Sequence, residues 1–178
     1  GNETVVIDLG APTNATLGAV DTHTATITED ESIPAVTLSV DNATIAEASG
    51  VATFTATLSN PSTQNVTVNL AFSGTATGSG TDYTASGSSI LITAGNTTGN
   101  ITVTADQDLL DENDETVIVD IDSVTNGTES GVQQQTTTIT DDDDAPTVTL
   151  SLDNATIAEA SGVATFTATL SAVSALDV

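Results

Sequence analysis

The side chains best equipped for chemistry in this chain are carboxylates. Its 178 residues hold 25 Asp and Glu, one His and no Lys, Arg or Cys, for a formal charge of −25. Between residues 35 and 146 the acid is gathered at Glu47, at Asp82, along Asp106, Asp108, Asp111, Glu112 and Asp114, and in the run Asp141-Asp142-Asp143-Asp144. No cationic side chain can neutralise it, so solvent, salt or metal ions must. Two carboxylates about 5 Å apart repel by roughly 3 kcal/mol at an effective dielectric near 20. A hard cation relieves that repulsion. Calcium takes about six to eight oxygens in flexible geometry and tolerates loop ligands, whereas magnesium dehydrates reluctantly. Zinc would call for His or Cys, and residues 35–146 contain neither. The plainer alternative is a solvated acidic surface suited to high salt, and the placement of the acid decides between the two.

Other chemistries find less support. His23 is the only histidine, and Gln135 stands in its place one repeat later. The position does not demand an imidazole and reads as an exposed strand residue. No Ser-His-Asp set can form within 35–146. Paired carboxylates can hydrolyse glycosides, but such sites need a sugar cleft, usually aromatic, and the chain has one Tyr and three Phe. The chain is therefore read as no enzyme. Without Lys or Arg it lacks the groups that bind nucleic acid or anionic membranes. No apolar run approaches the ~18 residues of a membrane-spanning helix, so no membrane insertion is expected in this segment. With no cysteine there is no disulfide framework. Asn-x-Thr sequons stand at Asn2, Asn14, Asn42, Asn65, Asn96, Asn100, Asn126 and Asn154. They could carry N-glycans if the source glycosylates surface proteins.

The elements that position the carboxylates emerge from a repeat. Residues 36–59 read VTLSVDNATIAEASGVATFTATLS and recur at 148–171 with one change, Val40 to Leu152. Glu3–Leu9 matches Glu115–Ile121 at the same spacing of 112 positions. Self-similarity over so long a period marks tandem domains. Residues 1–34 then end one domain, 35–146 form a complete one, and 147–178 begin a third.

Within the complete domain seven segments read as strands: 36–45, 51–58, 66–72, 88–92, 100–105, 115–121 and 132–140. Ala52, Phe54, Ala56 and Leu58 alternate with Thr and Val. Val66, Val68, Leu70 and Phe72 share one face, Ile101 and Val103 another, and Val117, Val119 and Ile121 a third. No segment of ten or more residues has helical periodicity. The expected fold is all-β, a seven-stranded antiparallel immunoglobulin-like sandwich in tandem repeats.

Alternate connections of such a sandwich lie at opposite poles. The connections after the first, third and fifth strands, and the end of the seventh, share one pole. These hold Glu47, Asp82, the 106–114 acids and Asp141–Asp144. The opposite pole is mostly Asn, Ser, Thr and Gly, with Glu129 the main exception and Asp122 at its edge. Acid confined to one pole, next to the following repeat, favours ion binding over general solvation.

The residues also carry a family resemblance. Ala46-Glu47-Ala48-Ser49-Gly50, Gly74-Thr75-Ala76 with Thr81-Asp82-Tyr83, Asp106-Gln107-Asp108 leading to Glu112-Asn113-Asp114-Glu115-Thr116, and Thr138-Ile139-Thr140-Asp141-Asp142-Asp143 together resemble the Calx-beta domain. The likeness spans 35–146 and, through the repeat, both flanking parts. It implies a seven-stranded sandwich that often binds several calcium ions at its distal loops. It also implies Glu47, Asp82, Asp106, Asp108, Glu112, Asp141, Asp142 and Asp143 as ligands. Asp30 and Glu159, one repeat away from Asp142 and Glu47, join that set. Two positions depart from the family pattern: Val117 stands where Phe is usual, and Gln107 where a second consecutive Asp occurs, which could reduce the number of ions held.

The expected function is structural. The chain reads as a segment of an extracellular or cell-surface stalk, fibre or surface layer, with calcium stiffening the junctions. Its partners would be neighbouring repeats or copies of the same chain. An adhesive module binding carbohydrate or protein through the neutral pole is the alternative. A calcium sensor is disfavoured by the tandem copies and by the lack of Lys and Arg.

Overall fold

The computed structural model describes all 178 residues, Gly1–Val178. Fourteen strands and no helix make up the regular structure. In chain order they are β1 (Glu3–Asp8), β2 (Thr22–Ile27), β3 (Ala35–Val40), β4 (Thr44–Ala46), β5 (Val51–Leu58), β6 (Val66–Gly74) and β7 (Tyr83–Ala85). Then follow β8 (Ser89–Ile92), β9 (Thr98–Ala105), β10 (Glu115–Thr125), β11 (Thr128–Glu129), β12 (Gln134–Thr140), β13 (Val148–Leu152) and β14 (Phe166–Leu170). No helix is long and apolar enough to cross a membrane.

The chain divides into two compact units, Gly1–Ile33 and Pro34–Val178. The first is the antiparallel hairpin β1–β2, pairing Val5 with Ala25 and Ile7 with His23. The second contains two five-stranded sheets, in the orders β4-β12-β10-β6-β8 and β11-β3-β5-β9-β7, and the hairpin β13–β14. All-β composition with period-2 alternation dictates this arrangement. Each strand has one apolar face, and the two faces must be buried against each other. Phe54, Ala56 and Val103 from one sheet close on Val68, Ile90 and Val119 from the other, all at 0% exposure. The inward residues anticipated from alternation are buried, except Phe72, which packs part-exposed on the rim of the core.

Several details differ from the strand pattern read in the sequence, among them the short β11, which pairs parallel with β3. The first segment is two strands in different sheets. β3 pairs antiparallel with β5, whereas β4 pairs parallel with β12. The crossing is fixed by side chains: Thr53 N–H donates to Asp41 Oδ1 (2.7 Å), and Asn42 Nδ2 donates to the Val51 carbonyl (3.0 Å). Those bonds replace ladder bonds that the departing backbone gives up. A short strand, β7, lies in the Gly- and Ser-rich stretch before β8 and adds to the free side of β9. β10 continues to Thr125 through a bulge between Ile121 and Ser123.

Several hydrogen bonds within residues 35–59 recur 112 positions later. Ala35 N–H donates to Ser59 Oγ (3.0 Å) and Thr147 N–H to Ser171 Oγ (2.9 Å). Thr53 N–H on Asp41 (2.7 Å) is matched by Thr165 N–H on Asp153 (2.8 Å). These bonds stabilise the ionised carboxylates and hold Asp41 and Asp153 below the usual range.

Candidate metal centre

Four chain segments converge at the end of the sandwich where β12 exits. Parallel pairing of β4 with β12 ends with Glu47 N–H donating to the Thr140 carbonyl (3.0 Å). This sets Glu47 beside Asp141. Asp106 N–H donates to the Asp82 carbonyl (3.0 Å), tying the end of β9 to the start of β7. Asp108 N–H donates to Glu47 Oε1 (3.0 Å), and Glu112 N–H to Asp141 Oδ1 (3.3 Å). The β9–β10 connection is thus folded over the ends of β4 and β12.

Gly74 makes room for the remaining segment. Its φ is +122°, and a Cβ there would lie 2.1 Å from the Thr116 carbonyl oxygen. Without a side chain the chain can leave β6 across Thr116. Thr116 N–H then donates to Thr75 Oγ1 (2.8 Å) and Thr75 N–H to Thr116 Oγ1 (3.2 Å). From there the loop turns back, with Thr77 N–H donating to the Asp82 carboxylate, and delivers Asp82 to Glu115.

Two carboxylate groups result. In each, one oxygen per residue lies within 4.8 Å of the others. The first is Glu47, Asp141 and Asp143; the second is Asp82, Glu112 and Glu115. All of these but Asp143 line one cavity, together with Asp106, Asp108, Asn113 and Ile139. Its volume is about 10 Å³, close to the ~10–15 Å³ that one water-sized occupant needs.

The electrostatics are those of crowded, partly desolvated anions. Burial, then the charges of Asp108, Asp141 and Asp143, push the Glu47 carboxyl up, even though the Asp108 N–H bond favours its ionised form. Burial and then Asp82 push Glu112 up. Glu115 rises from 4.5 to about 7, through burial, then hydrogen bonding to Asp82, then surrounding charge. Asp143 is raised by desolvation and by Asp141 and Asp142. Each cause penalises the charged state, and a cation would reverse the balance.

A hard cation fits this donor set. The donors are all oxygen, and residues 34–178 contain no His or Cys. Glu47 is 7% exposed yet carries a carboxylate, and Asp143 Oδ2 is buried with no hydrogen-bond partner. Buried polar atoms are normally satisfied, so an orphaned oxygen on a member of an acidic group is a feature a metal ion would satisfy.

Of the residues singled out in the sequence, Glu47, Asp82, Glu112, Asp141 and Asp143 fall into the two groups. Asp106 and Asp108 line the cavity but belong to neither. Asp106 Oδ2 accepts from Thr84 Oγ1 (2.8 Å), and Asp108 Oδ1 from Leu110 N–H (2.7 Å). Asp142 alternates outward and accepts from Gln107 Nε2 (3.2 Å). Asp30 and Glu159 are exposed and join no carboxylate group. Glu115, outside the ligand set that the resemblance implies, belongs to the second group. Strand parity points to it, since it shares the inward face of β10 with Val117, Val119 and Ile121. Glu129 lies away from the cavity, where β11 pairs with β3, and its Oε1 accepts from Gln133 N–H (2.7 Å).

The Calx-beta domain model matches residues 29–144 and again 141–176. Among solved structures, the chain is similar in fold to "CBD12 from CALX1.2", at 16% identity and a TM-score of 0.50, over 60% of this chain and 45% of that one. It also aligns with an "Apo-form Calx CBD1 domain", at 20% identity and a TM-score of 0.49, over 61% of this chain and 98% of that one. No curated protein matches. Taken with the two-sheet fold, the family match over most of its length shows that this chain belongs to the Calx-beta domain family.

Proposed function

We propose that this chain is a structural calcium-binding segment of a tandem array, in which ions held at the acidic pole of each repeat order the loops there and the exit of β12. The carrying observation is the pair of carboxylate groups, Glu47–Asp141–Asp143 and Asp82–Glu112–Glu115, of which all but Asp143 line one small cavity, in a chain without Lys or Arg. Three oxygens from each group, with Asp106, Asp108 and solvent, supply enough donors for more than one calcium ion. The cavity has room for an ion and none for an organic substrate, which supports a binding role over catalysis.

The division into a closing repeat at 1–34, a complete one at 35–146 and an opening one at 147–178 belongs to this reading. It is supported by hydrogen bonds that recur at the sequence period. Near-identical neighbours favour a mechanical role in an extracellular stalk, fibre or surface layer. The partners would be adjacent repeats or copies of the same chain. The sequon asparagines are all exposed, as N-glycans would require.

The test is a thermal melt of chelator-stripped protein with and without calcium. Binding to the folded state alone adds RT ln(1 + [L]/Kd), ~2.7 kcal/mol at a hundredfold excess over Kd. Melting temperature should rise through millimolar calcium and fall again in EDTA. A melting temperature that ignores calcium refutes the proposal.

A further inference from the structure

The β9–β10 connection carries a second feature on its outer side. Asp111 forms a parallel bridge with Ser174, in the connection that follows β14. Ser174 Oγ donates to Asp111 Oδ2 (2.7 Å) and lies 3.3 Å from the Asp111 carbonyl, which also accepts from Ala175 N–H (3.0 Å). Ser174 is the one residue of 171–178 that is half-buried rather than exposed. Asp111 is in neither carboxylate group and does not line the acidic cavity.

The equivalent of Ser174 one repeat earlier is Ser62. There the loop after β5 bends at the same positions, Ser59–Asn60 and Thr63–Gln64, as the loop after β14 does at Ser171–Ala172 and Ala175–Leu176. Ser62 Oγ accepts from Gln64 N–H (3.0 Å), just as Ser174 Oγ accepts from Leu176 N–H (3.0 Å). The loop has its docked shape even where no Asp111 meets it, and the internal turn leaves the hydroxyl hydrogen of Ser62 available to an outside acceptor.

The sequence reinforces this. The repeats are nearly identical through Ser59 and Ser171 and then diverge. Among residues 60–66 and 172–178 only Ser62/Ser174 and Val66/Val178 agree. Val66 is buried at the start of β6 at 0% exposure, so packing explains it. The serine lies outside the core; its Oγ closes the turn in both loops and at Ser174 also reaches Asp111.

We propose that this serine loop is a docking element, and that in the array the Asp111 position of each repeat captures the serine of the next. The partner is the following repeat, held by one carboxylate–hydroxyl bond and one backbone bond, separately from the covalent linker. The inference rests on the tandem reading, because the joint is defined between repeats. It deepens the calcium reading through the connection itself: Asp111 adjoins Glu112, a member of the second carboxylate group, so an ion there would fix the backbone that presents Asp111.

The chain has no cysteine, so spin labels can be placed cleanly on the whole chain at Thr57→Cys and Thr169→Cys, both exposed. Pulsed dipolar spectroscopy should give a distance distribution that broadens by about 1.5-fold or more on Ser174→Ala. Ser174→Thr, which keeps the hydroxyl, should restore the narrow form. Adding Asp111→Ala to Ser174→Ala should broaden it no further. Amide exchange at Ala175 should quicken several-fold in Ser174→Ala. Distributions and exchange unchanged by Ser174→Ala, in calcium and in EDTA alike, overturn the joint. Calorimetry with calcium on the unsubstituted chain tests the ion reading separately, and Ser174→Ala should bind calcium as the parent does. An absence of calcium binding would overturn that reading while the comparison in EDTA still decides the joint.

Discussion

Raising the pH of the metal-free chain from 5 to 7.5 should destabilise it, through Glu115 above all. Its carboxyl is lifted to about 7 by burial, by Asp82 and by neighbouring charge. An ordinary glutamate titrates near 4.5. A raised carboxyl binds its proton more tightly in the folded state. Its contribution is therefore complete below about 4.5 and lost as pH climbs through about 7. At about 1.4 kcal/mol per pH unit the gap corresponds to at most ~3.5 kcal/mol. Glu115 is part-exposed, and solvent screening brings the expected loss to about 1–2 kcal/mol. Glu47, Glu112 and Asp143 are raised as well and act in the same direction. For a domain near this size that is a fall in melting temperature of roughly 4–8 °C. Calcium should invert the profile, because it binds ionised carboxylates and competes with protons. Its affinity should fall by up to about tenfold per pH unit below 7 for each proton displaced. Circular-dichroism melts at several pH values, in EDTA and in millimolar calcium, read both arms. Glu115→Gln should flatten the EDTA arm and raise stability at pH 7.5. A metal-free melting temperature that rises with pH, or a Glu115→Gln profile identical to the parent, would refute the reasoning.

Four further substitutions test the site and the core beside it. Glu47→Gln should weaken calcium binding about tenfold or more, since a charge-assisted contact contributes on the order of 1.5–3 kcal/mol; Glu129→Gln, at the opposite end, should leave it nearly unchanged, and equal effects in calorimetry would contradict the placement of the site. Gly74→Ala sets a Cβ against the Thr116 carbonyl at a left-handed φ, so urea denaturation should show a loss of ~3 kcal/mol, with calcium binding impaired because Asp82 is displaced. Thr137 is fully buried and its Oγ1 has no partner; Ala25 stands one repeat before it. Thr137→Val should therefore stabilise the chain by about 1 kcal/mol, and a destabilisation in the same urea assay would mean that the hydroxyl is satisfied.

The core was legible because every strand that forms it alternates cleanly. Ala52, Phe54, Ala56 and Leu58 could face only one way, and they are buried. The split between β3 and β4 was hidden, because Val36, Leu38 and Ile45 are all inward and the stretch reads as one strand. Its signal was Asp41-Asn42, a turn pair whose side chains take over backbone bonds when the chain changes sheet. Strand β7 was lost among Gly and Ser, where three residues cannot establish a period. At the acidic pole, parity was the informative property and loop membership a blunt one. An extended run turns Asp141 and Asp143 one way and Asp142 the other, and parity with Val117 brings Glu115 inward. The β9–β10 connection has no period to follow. Which of Asp106, Asp108, Asp111 and Glu112 meet Glu47 and Asp82 is decided by long-range bonds such as Asp108 N–H to Glu47.

The site and the junction are made by the same few bonds, which explains why the acid sits where it does. β4 is short and belongs to the sheet only through β12. Its pairing ends at Ala46 opposite Thr140, one residue before both Glu47 and Asp141. An ion gripped by Glu47, Asp141 and Asp143 would extend that pairing by two residues, where a backbone ladder of carboxylate-bearing residues could not continue unaided. The segment between β12 and β13 runs from Asp141 to Thr147, so each residue fixed at its start shortens the free part of the linker. Pro146 restricts the other end, biasing Ala145 toward extended backbone. Acid elsewhere on the sandwich would raise the same repulsion without touching the linker. On the proposed reading, acid at this pole would loosen the Asp141–Thr147 segment without metal, and a bound ion would make its start a continuation of the β4–β12 pairing.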